Sequence, residues 1–185
     1  MSLYPKISFS LLNGFLLILP MLGLRLGIPA LIRNDALAEL DYFPPVLGVE
    51  KTALKVYFIS NTYLVFSPLL AKIQPWSFAA SLAWVIYLAG IGLMLASLVQ
   101  YSKNPGLKNN GVFRYSRNPI CLGYFLIYIG TSLLIGSWFH FGLAVIYQIA
   151  VHFLILSEER WCLKRYGVQY QSYLAATPRY LILKG

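Results

Sequence analysis

The sequence predicts an all-α integral membrane protein of about five transmembrane helices with a cytoplasmic helical tail, and three observations carry that prediction. The composition is 58% hydrophobic and only 11% charged, with a mean hydropathy of +0.65, whereas a water-soluble domain has about 25% charged residues. The apolar residues are gathered into long runs, and a spanning helix needs roughly 20 of them. The Lys and Arg lie between those runs, not along one amphipathic face. The formal charge of +9 therefore describes the loops of a membrane protein, and no nucleic-acid partner is expected.

Five segments meet the length requirement, at 7–32, 54–73, 76–100, 119–136 and 138–157, and residues 1–185 read as a single membrane domain. The first run lacks a small-residue cleavage site, so it reads as a retained span. Only Gly136-Ser137-Trp138 separates the last two runs, which predicts a tight helical hairpin. Twelve Lys and Arg fall in the first loop, the third loop and the tail, against Lys6 and Lys72 on the other side, with Arg25 inside the first span. The side richer in Lys and Arg faces the cytoplasm, so the N-terminus is expected outside and the tail inside. All six acidic residues share the tail's side. Short length and the lack of targeting signals point to a prokaryotic plasma membrane. Cys121 and Cys162 then lie in a reducing setting, where no structural disulfide is expected.

The loops on that side carry the unusual content. In the first, Asn34-Asp35 signals a helix start and Pro44-Pro45 a stop, predicting a short interfacial helix. The loop 101–118 is rich in Gly, Asn and Lys and reads as irregular. The tail continues the fifth helix through Glu158-Glu159, breaks at Gly167, and resumes with Tyr166, Tyr170 and Tyr173 at helical spacing, as a helix folded back on the membrane face.

Polar groups inside a bilayer are costly and turn to the bundle interior. Gln148, His152 and Glu159 fall within about 40° of one another around a helix and form one polar stripe. Gly90, Met94, Ser97 and Tyr101 share a face of the third helix, where small residues allow a ligand or a backbone close approach. Gly92 points the other way, so both glycines cannot line one pocket on a regular helix. Arg25 is expected either to be held by Asn61 or the loop acids, or to snorkel to the headgroups. Each feature also has a plainer explanation. Gly90 and Gly92 commonly serve helix packing, His140 and His152 commonly serve packing or the interface, and two His without a Cys or Asp cluster give no metal site. A carboxylate pair at a helix end is disfavoured by the macrodipole, so a cationic ligand or the nearby Arg160, Lys164 and Arg165 should compensate Glu158 and Glu159.

Taken together, GVFRYSRNPICLG at 111–123, then Glu158-Glu159, then Tyr166-Gly167 to Tyr170 and Tyr173, then Pro178-Arg179 resemble the isoprenylcysteine carboxyl methyltransferase and phospholipid methyltransferase superfamily. That family reads G-x-Y-x-x-x-R-H-P-x-Y-x-G, E-E-x-x-L, F-G-x-x-Y-x-x-Y and V-P-R. The match covers about 90–179 in order and spacing, and Gly90-Ile91-Gly92 looks like the G-x-G of the phospholipid branch. Asn118 stands where the family has His, Cys121 and Phe113 where it has Tyr, and Thr177 where it has Val.

The resemblance implies a methyltransferase that binds S-adenosylmethionine at the cytoplasmic ends of the last helices and methylates a lipid or other hydrophobic acceptor, through a carboxylate, amine or thiol. It implies that Gly90, Gly92, Tyr101, Gly111, Arg117, Asn118, Pro119, Gly123, His152, Glu158, Glu159 and Tyr170 surround the cofactor, and that Arg117, Glu159 and Arg179 serve catalysis. An amine acceptor must lose a proton, for which Glu159 or His152 is a candidate base. Two alternatives are a sterol-reductase-like membrane enzyme using NADPH and a non-enzymatic membrane scaffold. Oligomeric state and the acceptor's identity are not expressed in the sequence.

Overall fold

The computed structural model describes residues 11–73 and 78–180. In order these form α1 (Leu11–Ile32), α2 (Ala36–Leu40), α3 (Val49–Phe66), a 3-10 turn at Ser67–Leu70, α4 (Phe78–Lys103), a second 3-10 turn at Gly111–Arg114, α5 (Pro119–Ile135), α6 (Trp138–Tyr166) and α7 (Val168–Ala176). The starts of the expected first and third spans, at 7–10 and 76–77, lie outside the described residues. Among the described residues, four helical segments are long and apolar enough to cross a membrane, at Asn13–Ile32, Val49–Leu70, Ala80–Lys103 and Trp138–Tyr166. The fold is an all-α membrane protein.

The fifth expected span, α5, has 17 residues, about 25 Å of helix, short of a bilayer core of about 30 Å. Its ends are set by local chemistry. Pro119 occupies the first turn and Gly136 terminates it at φ +66°, the left-handed conformation that glycine adopts without steric cost. A short helix is accommodated because α5 is the most enclosed element, buried along most of its length between α4 and α6. The expected hairpin forms there, with the Ser137 side chain accepting from the His140 backbone N–H at 3.2 Å.

Helix α6 continues beyond the span expected at 138–157, through Glu158 and Glu159 to Tyr166, and breaks at Gly167 as expected, at φ +52°. Glu158 and Glu159 thus lie two turns inside the helix. The unfavourable end of the macrodipole falls on Lys164 and Arg165, where cations are stabilising, so the expected conflict at the carboxylates does not arise. Helix α3 begins at Val49, five residues earlier than the apolar run, because the bidentate pair between Glu50 and Arg160 of α6, at 2.6 and 2.7 Å, anchors its first turn. The first loop forms the expected short helix, α2, which starts after Asp35, whose carboxylate is taken by Arg33.

The helices pack in the spatial order α1, α4, α5, α6, α3. The tightest seam is between α4 and α5, and glycines make it. A Cβ on Gly90 would meet the Ile127 backbone N at 2.8 Å, one on Gly123 the Met94 backbone at 3.1 Å, and one on Gly130 the Tyr87 backbone at 2.7 Å. Gly92 faces outward with nothing near it. The shared face of Gly90, Met94 and Ser97 is therefore a helix contact, as in small-residue packing generally. Polar groups fasten the other seams. Tyr87 donates to the Leu17 carbonyl at 2.6 Å and Tyr128 to Asn61 Oδ1 at 2.7 Å. His140 joins α6 to Ser132 of α5 at 2.7 Å and to the Leu64 carbonyl of α3 at 3.3 Å. Asn61 is thus taken by Tyr128, and Arg25 pairs with the loop acid Asp41.

Candidate functional site at the loop end of the bundle

The loop before α5 and the chain after α7 come together because Arg117 is satisfied by the tail. Its backbone N–H donates to the Pro178 carbonyl at 3.0 Å. Nη1 donates to the carbonyls of Leu174 and Thr177 at 3.1 and 2.6 Å, and Nη2 to Glu159 Oε1 at 2.8 Å. Arg179 reaches the same carboxylate from the other side, with Nε on Oε1 at 2.9 Å and Nη2 on Oε2 at 2.6 Å. The pairing raises the Arg179 pKa, chiefly through its bond to Glu159.

Further bonds close the junction. Tyr173 donates to the Phe113 carbonyl at 2.6 Å, and the Ser116 hydroxyl and Asn118 amide both donate to the Arg179 carbonyl at 3.2 Å. Tyr170 and Tyr173 are buried in it, and burial raises both phenol pKa values above the ordinary range. One residue further, Tyr180 meets His152 Nδ1 at 3.1 Å, so the polar stripe of α6 is covered by the tail.

Beside this junction lies a cavity of about 750 Å³, within the roughly 300–1,000 Å³ usual for small-molecule sites. Its aromatic walls come from Tyr101, Phe113, Trp161, Tyr166 and Tyr170. Its roof is the first loop, where Arg33 pairs with Asp35 at 2.7 Å and with Glu39, and Lys108 pairs with Glu39 at 3.3 Å. The hydrogen bond to Glu39 raises the Arg33 pKa. Burial lowers that of Lys108, with Glu39 opposing. A smaller compartment of about 180 Å³ adjoins it, sharing Glu39, Tyr101, Asn118 and Glu158 and continuing among Arg25, Tyr57, Tyr124 and Tyr147.

Ion pairing sorts the charges. Glu159 is consumed by two guanidiniums, and Glu39 by Arg33 and Lys108. Glu158, which lines both compartments, forms no hydrogen bond or ion pair among the described residues. Arg165 stacks on Trp161 at 4.9 Å and on Tyr166 at 5.8 Å, and it too has no carboxylate partner among the described residues. One open carboxylate and one open guanidinium therefore face the same aromatic space.

Of the residues singled out from sequence, Tyr101, Arg117, Asn118, Glu158, Glu159 and Tyr170 line the main cavity and Pro119 the inner one. Arg179 touches the site through Glu159. Gly90, Gly92 and Gly123 are not brought to it, since they belong to the α4 seam or the outer surface. Gly111 abuts the Gln100 side chain, and His152 is engaged by Tyr180. Sequence reasoning missed Arg33, Glu39, Lys108 and Trp161, and singled out Arg165 only as a charge beside the two glutamates. The spacing of Asp35 and Glu39 on one turn of α2 was the readable signal for the roof.

A family model described as phospholipid methyltransferase matches residues 77–169, half of the chain. The chain belongs to the phospholipid methyltransferase family. No curated protein and no solved structure matches it. Family membership makes it a membrane methyltransferase, and the matched stretch contains α4 to α6, the loop with Arg117, and both glutamates. The first loop and Arg179 lie outside the matched stretch, yet they roof and lock the same cavity, and α1 and α3, also outside it, contribute Arg25 and Tyr57 to the inner compartment.

Proposed function

We propose that this chain is an S-adenosylmethionine-dependent methyltransferase whose cavity opens to the cytoplasm and whose acceptor is a lipid or other hydrophobic molecule. The observation that carries the reading is Glu158, an unpaired carboxylate among aromatic rings in a cavity large enough for a nucleoside-bearing cofactor. The residues fit the group. A sulfonium and an ammonium call for a carboxylate and aromatic faces, an amino-acid carboxylate for a guanidinium, and ribose hydroxyls for acceptors.

Glu158 would hold the ammonium or the ribose, Arg165 the carboxylate, and Tyr101, Phe113 and Trp161 the purine and the cationic sulfur. S-adenosylmethionine supplies an already activated methyl, so the protein's part is positioning and exclusion of water. No nucleophilic side chain is required. Arg117, Glu159 and Arg179 support this by fixing the loop and the tail across the cavity. For an amine acceptor, the Glu158 carboxylate is the group able to take up the proton. Glu159 is less suited, held by two arginines, and His152 less again, turned to Tyr180. The twelve Lys and Arg of the first loop, the third loop and the tail, against Lys6 and Lys72, support the cytoplasmic orientation.

Titration calorimetry of the purified protein tests the reading. Wild type should bind S-adenosylmethionine, and Glu158→Gln should bind it at least about tenfold more weakly, the order of one lost charge-assisted bond. Absence of binding to wild type, with NADPH bound instead, would sink it and favour a reductase.

A further inference from the structure

Three pieces of chain border the main cavity on its loop side: the first loop, the tail, and the segment 104–110 between α4 and the second 3-10 turn. That segment contributes Pro105, Gly106, Leu107 and Lys108 to the lining. The three are held to different degrees. The tail is bound through Arg117 to the carbonyls of Leu174, Thr177 and Pro178, and through Tyr173 to that of Phe113. The first loop is pinned by Arg33 on the Ser102 carbonyl at 3.2 Å, by Phe43 against Tyr57 at 5.6 Å, and by Tyr42 against Trp161 at 5.6 Å.

Segment 104–110 is tied mostly to itself and its flanks. Asn104 donates to the Gln100 carbonyl at 2.9 Å, Lys108 donates to the Asn104 carbonyl, and the Asn110 carbonyl accepts from Phe113. Among the described residues, its one hydrogen bond or ion pair to a distant part of the chain is that of Lys108 with Glu39 of α2, at 3.3 Å. The clasp is asymmetric. If Glu39 lets go, Arg33 keeps Asp35 and the Ser102 carbonyl, whereas Lys108 keeps only the Asn104 carbonyl of its own segment and the Tyr101 ring, 4.4 Å from Nζ. Glu39 is 34% exposed, and an ion pair in contact with water is weak enough to open thermally. Pro105, Gly106, Asn109 and Asn110 are exposed, so the segment can swing out with little loss of packing. Gly106, at φ +80°, supplies a backbone position free of a Cβ at which it can turn.

We propose that segment 104–110 is the door of the main cavity and that Lys108 on Glu39 is its latch, so that a water-borne cofactor enters and leaves by breaking this one pair. This deepens the reading of that cavity as the cofactor site. The tail and the first loop form the fixed frame against which the door closes.

Thiol accessibility in the detergent-solubilised full chain tests the proposal. Cys162 lines the cavity, and with Cys121 replaced by Ser it is the remaining thiol. Its rate of labelling by N-ethylmaleimide then reports how often the door stands open. Lys108→Gln and Glu39→Gln should each speed labelling about two- to fivefold, the span that a partly exposed ion pair contributes. Lys108→Arg should label at the wild-type rate, and so should Lys55→Gln, which removes an exposed cation that lines neither compartment. The proposal falls if either Gln variant of the latch labels at the wild-type rate, or if Lys108→Arg or Lys55→Gln labels as fast as they do. It falls too if the thermal unfolding midpoint drops in step with the faster labelling, since a door opens without loosening the bundle. S-adenosylmethionine should slow labelling of the wild-type cavity. No protection beside an intact latch effect would overturn the cofactor reading and leave the door standing.

Discussion

At Glu159 two guanidiniums converge on one carboxylate whose side chain is 12% exposed, with Arg117 at 10% and Arg179 at 31%. Taking away one member of such a buried cluster leaves uncompensated charge, at a cost of about 3 kcal/mol. Glu159→Gln should therefore lower the thermal unfolding midpoint in detergent by several degrees and make the tail sensitive to limited proteolysis. Glu158→Gln should change neither, because no bond is lost. Equal midpoints for the two variants would contradict the division of roles between these neighbours. The pair is visible in sequence as two adjacent acids and nothing more. Their difference arises because residues one apart on a helix point about 100° away from each other, one towards the arginines and the other into the cavity.

Helix contacts decide where the glycines act. A Cβ at Gly130 would lie 2.7 Å from the backbone N of Tyr87, so Gly130→Ala must push α4 from α5 and should cost about 1–3 kcal/mol by overpacking. Gly92→Ala meets nothing within 4 Å and should be neutral or slightly stabilising, since alanine is the better helix former. Denaturation of the two variants in parallel checks this, and a Gly92→Ala loss as large as that of Gly130→Ala would remove the seam from the account. The periodicity of α4 already placed Gly90, Met94 and Ser97 on one face. It could not say that α5 occupies that face and leaves a ligand no room there, because periodicity orders residues about their own axis and is silent about the neighbour.

For the whole molecule, the charge asymmetry puts the cavity, the roof and the tail on one side of the membrane. With Cys121 and Cys162 replaced by Ser, a single cysteine at Lys103→Cys should be labelled by an impermeant maleimide only in inverted vesicles. One at Lys72→Cys, exposed at the other end, should be labelled in intact cells. The reverse pattern would place the cavity outside and overturn the orientation.

The sequence by itself determined the class of protein, the break at Gly167, the short α2, the hairpin at Gly136, and the family to which the chain belongs. These depend on hydropathy, turn chemistry and spacing, which act over a few residues. Only the tertiary structure decided that α1 and the first loop belong to the site, that Arg117 and Arg179 share one carboxylate, and that Arg25, paired with Asp41, lines the compartment that Glu158 also lines. Those facts join residues 16 to 69 positions apart or more, through Asp41 with Arg25 and Ser102 with Arg33. A pairing at that range is set by which helices pack side by side, a choice made by the bundle as a whole and carried by no single stretch of chain.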